Sequence, residues 1–244
     1  MKRFYKQADV VPRDDEFGVA LDGKPIRTPG NRPLAMPVRA LAAAIAEEWQ
    51  AQPLEGEIRP ASMPLMRLAA TGLDRVPMQR DKVIDDIARY AGSDLLCYRA
   101  QEPDDLVARQ HRTWQPLLDW ATERFGARLQ VETGLRFHAQ EPAALARYRA
   151  EVARYSTLGL AGLYVLTTSM GSLLLALATS DGHLAPEAAY EAAELDALYQ
   201  VERWGEDHEA AKRRQGIRAD IVNSARFLAL LGPHRLQSGA ALPA

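Results

Sequence analysis

The sequence predicts an α+β protein in two parts. A small β-rich N-terminal domain occupies residues 1–80, a mostly α-helical C-terminal domain residues 81–235, and a loose tail residues 236–244. Three observations carry that expectation. The first 36 residues alternate apolar and polar side chains around a tight-turn dipeptide, Asp22-Gly23. From Pro37 onward, and most clearly past Pro103, apolar residues recur at helical spacing. No internal repeat or low-complexity linker interrupts either part.

In order, Arg3–Val11 reads as a strand, Arg13-Asp14-Asp15 as a turn and Phe17–Leu21 as a second strand. Asp22-Gly23 closes a hairpin onto a third strand, Lys24–Thr28. Arg32–Met36 adds a short fourth after Pro29-Gly30-Asn31. Pro37 suits a first helical turn, where its missing N–H has no intrahelical partner to lose. Val38, Leu41, Ile45 and Trp49 then share one face. Further helices are expected from Pro64 to about Arg75 and from Gln79 to Ala91, the latter with Val83, Ile84 and Ile87 inward. Asp94–Arg99 is short and apolar enough for a buried strand, though so brief a run fits more than one structure.

Past Pro103, Val107, Trp114, Leu118, Ala121 and Phe125 mark one long face, in which Pro116 either kinks the helix or starts a new one. Arg128–Val131 reads as a short strand, and Leu145, Tyr148, Val152 and Tyr155 as a helical face. Tyr155–Ser180 carries no charge and is long enough to cross a bilayer. Its glycines and the Thr167-Thr168-Ser169 cluster before Gly171 instead suggest two shorter buried helices, so no stable membrane insertion is expected. One acidic helix follows from Pro186 to Arg203, then a last helix with Ile217, Ile221, Ala225 and Leu228 inward.

Composition limits the function classes. With 47% apolar and 25% charged residues this is an ordinary folded chain. A net charge of −2 gives no general attraction to nucleic acid or anionic lipid. MKRFYKQADV has no apolar core of a secretory signal. The single cysteine, Cys97, lies in an apolar run and is expected to be a buried, inert thiol. None of His111, His138, His183, His208 and His234 has a second histidine three or four residues away. Nucleophile-elbow and phosphate-loop motifs are missing too, so no catalytic, cofactor or metal set is expected.

Asp181–Glu209 is the unusual segment. It holds nine acids against one base, Arg203, a formal charge of −8. Glu187, Glu191 and Glu194 fall at i, i+4 and i+7, a like-charge stripe that folding alone does not favour. Ala188, Ala192, Leu195 and Tyr199 form the opposite, packing stripe. The acids are either a solvated face or a docking surface for a basic partner. Trp204 is either a packing residue capped by Gly205 or part of that surface.

Eight segments, in order, match a known pattern. They are KRFYK (Lys2–Lys6), LDGKPIRTP (Leu21–Pro29), LAAAIAEEWQAQ (Leu41–Gln52), MPLMRLAATGLD (Met63–Asp74), YAGSDLLCYRA (Tyr90–Ala100), WQPLLDWA (Trp114–Ala121), GSLLLALA (Gly171–Ala178) and WGEDHEA (Trp204–Ala210). Together they resemble the family of assembly chaperones for the alpha subunit of the F-type ATP synthase catalytic head. Asp196 followed by Ala197, and His208 before Glu209, depart from that pattern.

The resemblance implies an ATP-independent chaperone with no cofactor, acting in a bacterial cytoplasm as a monomer. It would hold the alpha subunit until the beta subunit replaces it. With the charge pattern, it makes Glu191, Glu194, Asp196, Glu202, Trp204, Glu206, Asp207 and Glu209 the expected partner-binding residues. The rival expectation is an enzyme with an inter-domain cleft whose carboxylates would be Asp196 and Glu202.

Overall fold

The computed structural model describes residues 2–134 and 136–237 and has a small N-terminal sheet followed by helices, an α+β fold in two parts. Strands β1 (Ala8–Arg13) and β2 (Glu16–Leu21) pair antiparallel, with Arg13 opposite Glu16 across the Asp14-Asp15 turn. β2 turns through Asp22 (φ 47°) and Gly23 (φ 77°) into β3 (Lys24–Pro25), setting Leu21 opposite Lys24. Positive φ at both turn residues is the hairpin geometry that matches strand twist, and Asp-Gly is a sequence that tolerates it. β4 (Ala35–Met36) pairs with the other end of β2, Phe17 opposite Met36. The first strand begins at Ala8 rather than Arg3. Arg3 is drawn off by helix α1 (Arg39–Gln50), its guanidinium donating to the Gln50 and Gln52 carbonyls at 2.9 and 2.7 Å.

Leu41 and Ile45 of α1 are fully buried, on the expected face. Glu48 of the same helix accepts from the Leu65 and Met66 backbone N–H groups, both at 2.8 Å, at the start of α2 (Pro64–Asp74). Those donors have no intrahelical partner, so a carboxylate there also meets the positive end of the helix. At the other end of α2, Asp74 accepts from the Thr28 hydroxyl (2.6 Å) and the Gly30 N–H (2.8 Å). Two of the matched segments are thus carboxylate joints between the sheet, α1 and α2.

Helix α3 (Arg80–Ala88) buries Val83, Ile84 and Ile87. Asp94–Arg99 differs from the expected strand. Leu95–Cys97 is a 3-10 turn, and only β5 (Tyr98–Arg99) is extended, pairing parallel with β6 (Glu132–Thr133), just past the expected Arg128–Val131. The cause is Asp94, whose carboxylate accepts from Leu96 N–H (3.1 Å), the Ser172 hydroxyl (2.7 Å) and Leu174 N–H (3.1 Å). That wraps the backbone around a buried acid.

Helix α4 (Asp104–Phe125) continues for 22 residues with Pro116 inside it, so the proline does not start a new helix. α5 (Pro142–Ala153) buries Tyr148 and Val152. The uncharged run is α6 (Thr157–Met170) and α7 (Leu173–Ser180), divided at Gly171 (φ 64°) as expected. No helix among the described residues is long and apolar enough to cross a membrane. Last come α8 (Pro186–Ala193), α9 (Leu195–Trp204) and α10 (His208–Leu231).

The chain forms two compact units. The first is the chain up to Arg80 together with Tyr155–Gly162 and a segment beginning at Arg226. The second is Asp81–Arg154 with Leu163–Ala225. The first unit thus recruits two later pieces of chain. Glycines allow it: Gly72 lies against the Leu158 backbone, Gly159 against the Arg235 carbonyl, and Gly162 against Leu228. Of the tail expected at 236–244, Leu236 is buried and bridges to Tyr155, and residues 238–244 lie outside the described residues.

Candidate functional site

The acidic segment is two helices, not one. α8 ends at Ala193, Glu194 (φ −97°, ψ 16°) is the joint, and α9 begins at Leu195. The last carbonyls of a helix need outside donors. The buried Trp114 indole supplies one, donating to the Ala192 carbonyl at 2.8 Å. Ala189, Ala192, Leu195 and Tyr199 are buried, whereas Ala188 of the expected packing stripe is only half-buried.

The eight expected partner-binding residues fall into two groups. Four acids are engaged within the second unit. Glu202 receives a fork from Arg109 of α4, at 2.7 and 2.9 Å. Asp196 accepts from Gln110 at 2.8 Å, and buried Gln110 also accepts from Ala100 N–H through its side-chain oxygen. Glu206 pairs with Arg214, a nearly buried guanidinium. Asp207 accepts from Ala210 N–H at 2.9 Å and so caps α10. By contrast, Glu191, Glu194 and Glu209 have no ion pair or side-chain hydrogen bond among the described residues. Trp204 is 78% exposed, so it is not the packing residue that capping rules suggested. Gly205 behind it has φ 88° and ψ 171°, a conformation open to glycine rather than the left-handed helical cap.

The local count of −8 therefore overstates the field. Arg218 of α10 stands 3.4 Å from Glu187, and Arg124 of α4 3.3 Å from Asp181. Arg203, the segment's own base, pairs with Asp105 of α4, which also accepts from the Tyr199 hydroxyl at 2.8 Å. Arg109 hydrogen-bonded to Glu202 holds that carboxyl below the usual range. The Tyr199 hydroxyl, then Arg203, do the same for Asp105. A catalytic acid requires the opposite shift, so Glu202 is arranged as a fixed carboxylate.

A groove of about 710 Å³ opens between α4, α8 and α9. Leu184, Leu195, Leu198 and Val201 give it apolar lining, while Arg109, Arg112, Glu191 and Glu202 supply charge. The arginines on its α4 side were missed from the sequence. Pro116, which also lines it, was the available signal, because a proline inside a helix marks an irregular wall. Among the described residues no group of three or more His, Cys, Asp or Glu side chains is placed to hold a metal ion. Cys97 is buried, and burial together with nearby Asp94 pushes its thiol pKa up, away from the reactive range.

Comparison with known proteins gives a consistent picture. The family model described as ATP12 chaperone protein matches residues 2–122. The crystal structure of Atp12 from Paracoccus denitrificans is 40% identical, with a TM-score of 0.89 over 94% of this chain and 97% of that one. An aspartate-to-lysine mutant of the Paracoccus protein superposes equally well, at 39% identity and a TM-score of 0.89. The mitochondrial protein atp12 of Schizosaccharomyces pombe is 22% identical over 215 residues, covering 84% of this chain and 74% of that protein.

Proposed function

The chain belongs to the ATP12 chaperone family, and from that premise we propose that it binds the unassembled alpha subunit of the F-type ATP synthase catalytic head. It shields the interface of that subunit until the beta subunit replaces it, and it does so without ATP. It works as a single chain in a bacterial cytoplasm.

The observation that carries this reading is the end of α9. Trp204, a large amphipathic side chain, is left 78% exposed in a helix whose other apolar residues are buried or half-buried. Tryptophan is the residue type most enriched where binding energy concentrates. Around it in sequence are the other seven expected partner-binding residues named above. Glu191, Glu194 and Glu209 are free to steer a basic client surface, which raises encounter rate and selectivity more than affinity. Asp196, Glu206 and Asp207 hold the surface in shape while presenting their second oxygens, and Glu202 has both of its oxygens in the Arg109 fork. Reversing Asp207 would therefore also remove the α10 cap, so Glu191 and Glu209 are the cleaner positions for charge reversal.

An unassembled subunit exposes apolar surface that drives aggregation. Co-expression with this chain is thus expected to raise the soluble yield of the alpha subunit several-fold over the alpha subunit alone. Glu191→Lys with Glu209→Lys is expected to reduce that gain, and an unchanged soluble yield with and without the chain would refute the reading. The enzymatic alternative built on Asp196 and Glu202 gains no support from their geometry. One accepts from a buried amide and the other is locked in a fork with Arg109.

A further inference from the structure

Resting on the chaperone reading above, we infer that the groove between α4, α8 and α9 receives an amphipathic helix of the client. That helix carries an apolar stripe bordered by an acid on one flank and a base on the other. The lining dictates the stripe. Leu195, Leu198 and Val201 of α9, with Leu184 ahead of α8, present aliphatic side chains, and only Leu195 of these is fully covered. The walls dictate the helix. All three are α-helices around an apolar lining, so the groove offers no free strand edge and matches the helix-in-groove mode, read through anchors at i, i+3, i+4 and i+7.

Charge sets the flanks. Glu202 is already taken by Arg109. Arg112 on α4 and Glu191 on α8 line the same groove from different helices, and neither has an ion pair among the described residues. An acid on the client meets Arg112 and a base meets Glu191, which fixes the direction in which the helix lies. Pro116 adds a third reading point. It has no N–H, so the Arg112 carbonyl one turn before it lacks its helical donor. A client side chain with an N–H or O–H satisfies that acceptor. α9, whose Val201 and Glu202 line the groove, ends at the exposed Trp204.

The test uses the full chain co-expressed with the alpha subunit, carrying a photo-crosslinking residue at Leu198 or, as a control, at exposed Met78 of the first unit. Crosslinks from Leu198 to one helical segment of the alpha subunit are expected. Leu198→Asp is expected to lower co-purified alpha subunit about tenfold or more, and Arg112→Glu or Glu191→Lys about fivefold each, with circular dichroism and melting temperature unchanged. If Leu198→Asp lowers the melting temperature, the two charge variants carry the test. If the alpha subunit co-purifies normally but Leu198 crosslinks to nothing, or to a second copy of this chain, the groove assignment is overturned and the chaperone reading stands. If the wild-type chain captures no alpha subunit, both fall.

Discussion

Asp94→Ala is expected to cost about 3–5 kcal/mol of stability, the largest loss from any single carboxylate in this fold. Asp94 is wholly buried in the second unit. It satisfies Leu96 N–H, the Ser172 hydroxyl and Leu174 N–H, and Ser172 in turn caps α7 by accepting from Leu175 N–H at 3.0 Å. Truncation leaves several donors in a dry interior without a partner, each costing about 1–3 kcal/mol. Asp94→Asn is no remedy, because it keeps the volume but turns an amide N–H₂ toward groups that are themselves donors.

The same residue gives a pH signature. Burial pushes its pKa up to about 6, against the hydrogen bonds from Ser172, Leu174, Leu96 and Leu173 that pull it down. A raised folded pKa means that the folded state binds the proton more tightly than the unfolded state. Its stabilising contribution is complete below the unfolded value and is lost as pH rises through about 6. Wild type is therefore expected to gain on Asp94→Ala as pH falls from 7 to 4, by up to about 3 kcal/mol. Urea denaturation of both proteins at several pH values checks this. A difference that shrinks on acidification would contradict it.

Gly159→Ala is expected to destabilise by about 3 kcal/mol or more, against the usual sense of that substitution in a helix. A β-carbon at 159 would lie on the Arg235 carbonyl oxygen, with the Tyr155 ring 3.1 Å away. The carbonyl cannot yield easily. It accepts from Ser156 N–H at 2.8 Å and the Ser156 hydroxyl at 3.2 Å, and both partners are backbone or short side chain. Gly216, inside α10, is the control, since nothing lies within 4 Å of a β-carbon built there. Gly216→Ala is expected to stabilise by about 1 kcal/mol. Opposite shifts in thermal midpoint for the two substitutions are the expected result. Two shifts of the same sign would show that close packing at Gly159 does not hold the later segments in the first unit.

What could be read from the sequence was what local chemistry decides. Asp22-Gly23 marks its hairpin through backbone preference alone, and Gly171 marks the division of the uncharged run because a left-handed residue ends α6. Val83, Ile84 and Ile87 lie inward because a helical period decides a face. What escaped was decided by distant residues. The break between α8 and α9 is invisible in a continuous acidic stripe, because Trp114, 78 residues away, satisfies the carbonyl that ends α8. The strand expected at Asp94–Arg99 gives way because Asp94 serves the start of α7. The candidate site suffered most. Counting charge along Asp181–Glu209 finds one base. The fold brings Arg109 to Glu202 across 93 positions of sequence, and Arg218 to Glu187 across 31. The exposed Trp204 stood out for its acidic neighbours, but only the fold separates the engaged acids from Glu191, Glu194 and Glu209.

The most direct test is a mixture of purified alpha subunit and this chain, followed by light scattering after dilution from denaturant without nucleotide. Near-equimolar chain is expected to suppress alpha-subunit aggregation, and later addition of beta subunit to displace it into an alpha–beta complex. Aggregation that proceeds unchanged, or suppression that appears only when ATP is supplied, would contradict a chaperone that works by occupying its client's exposed face.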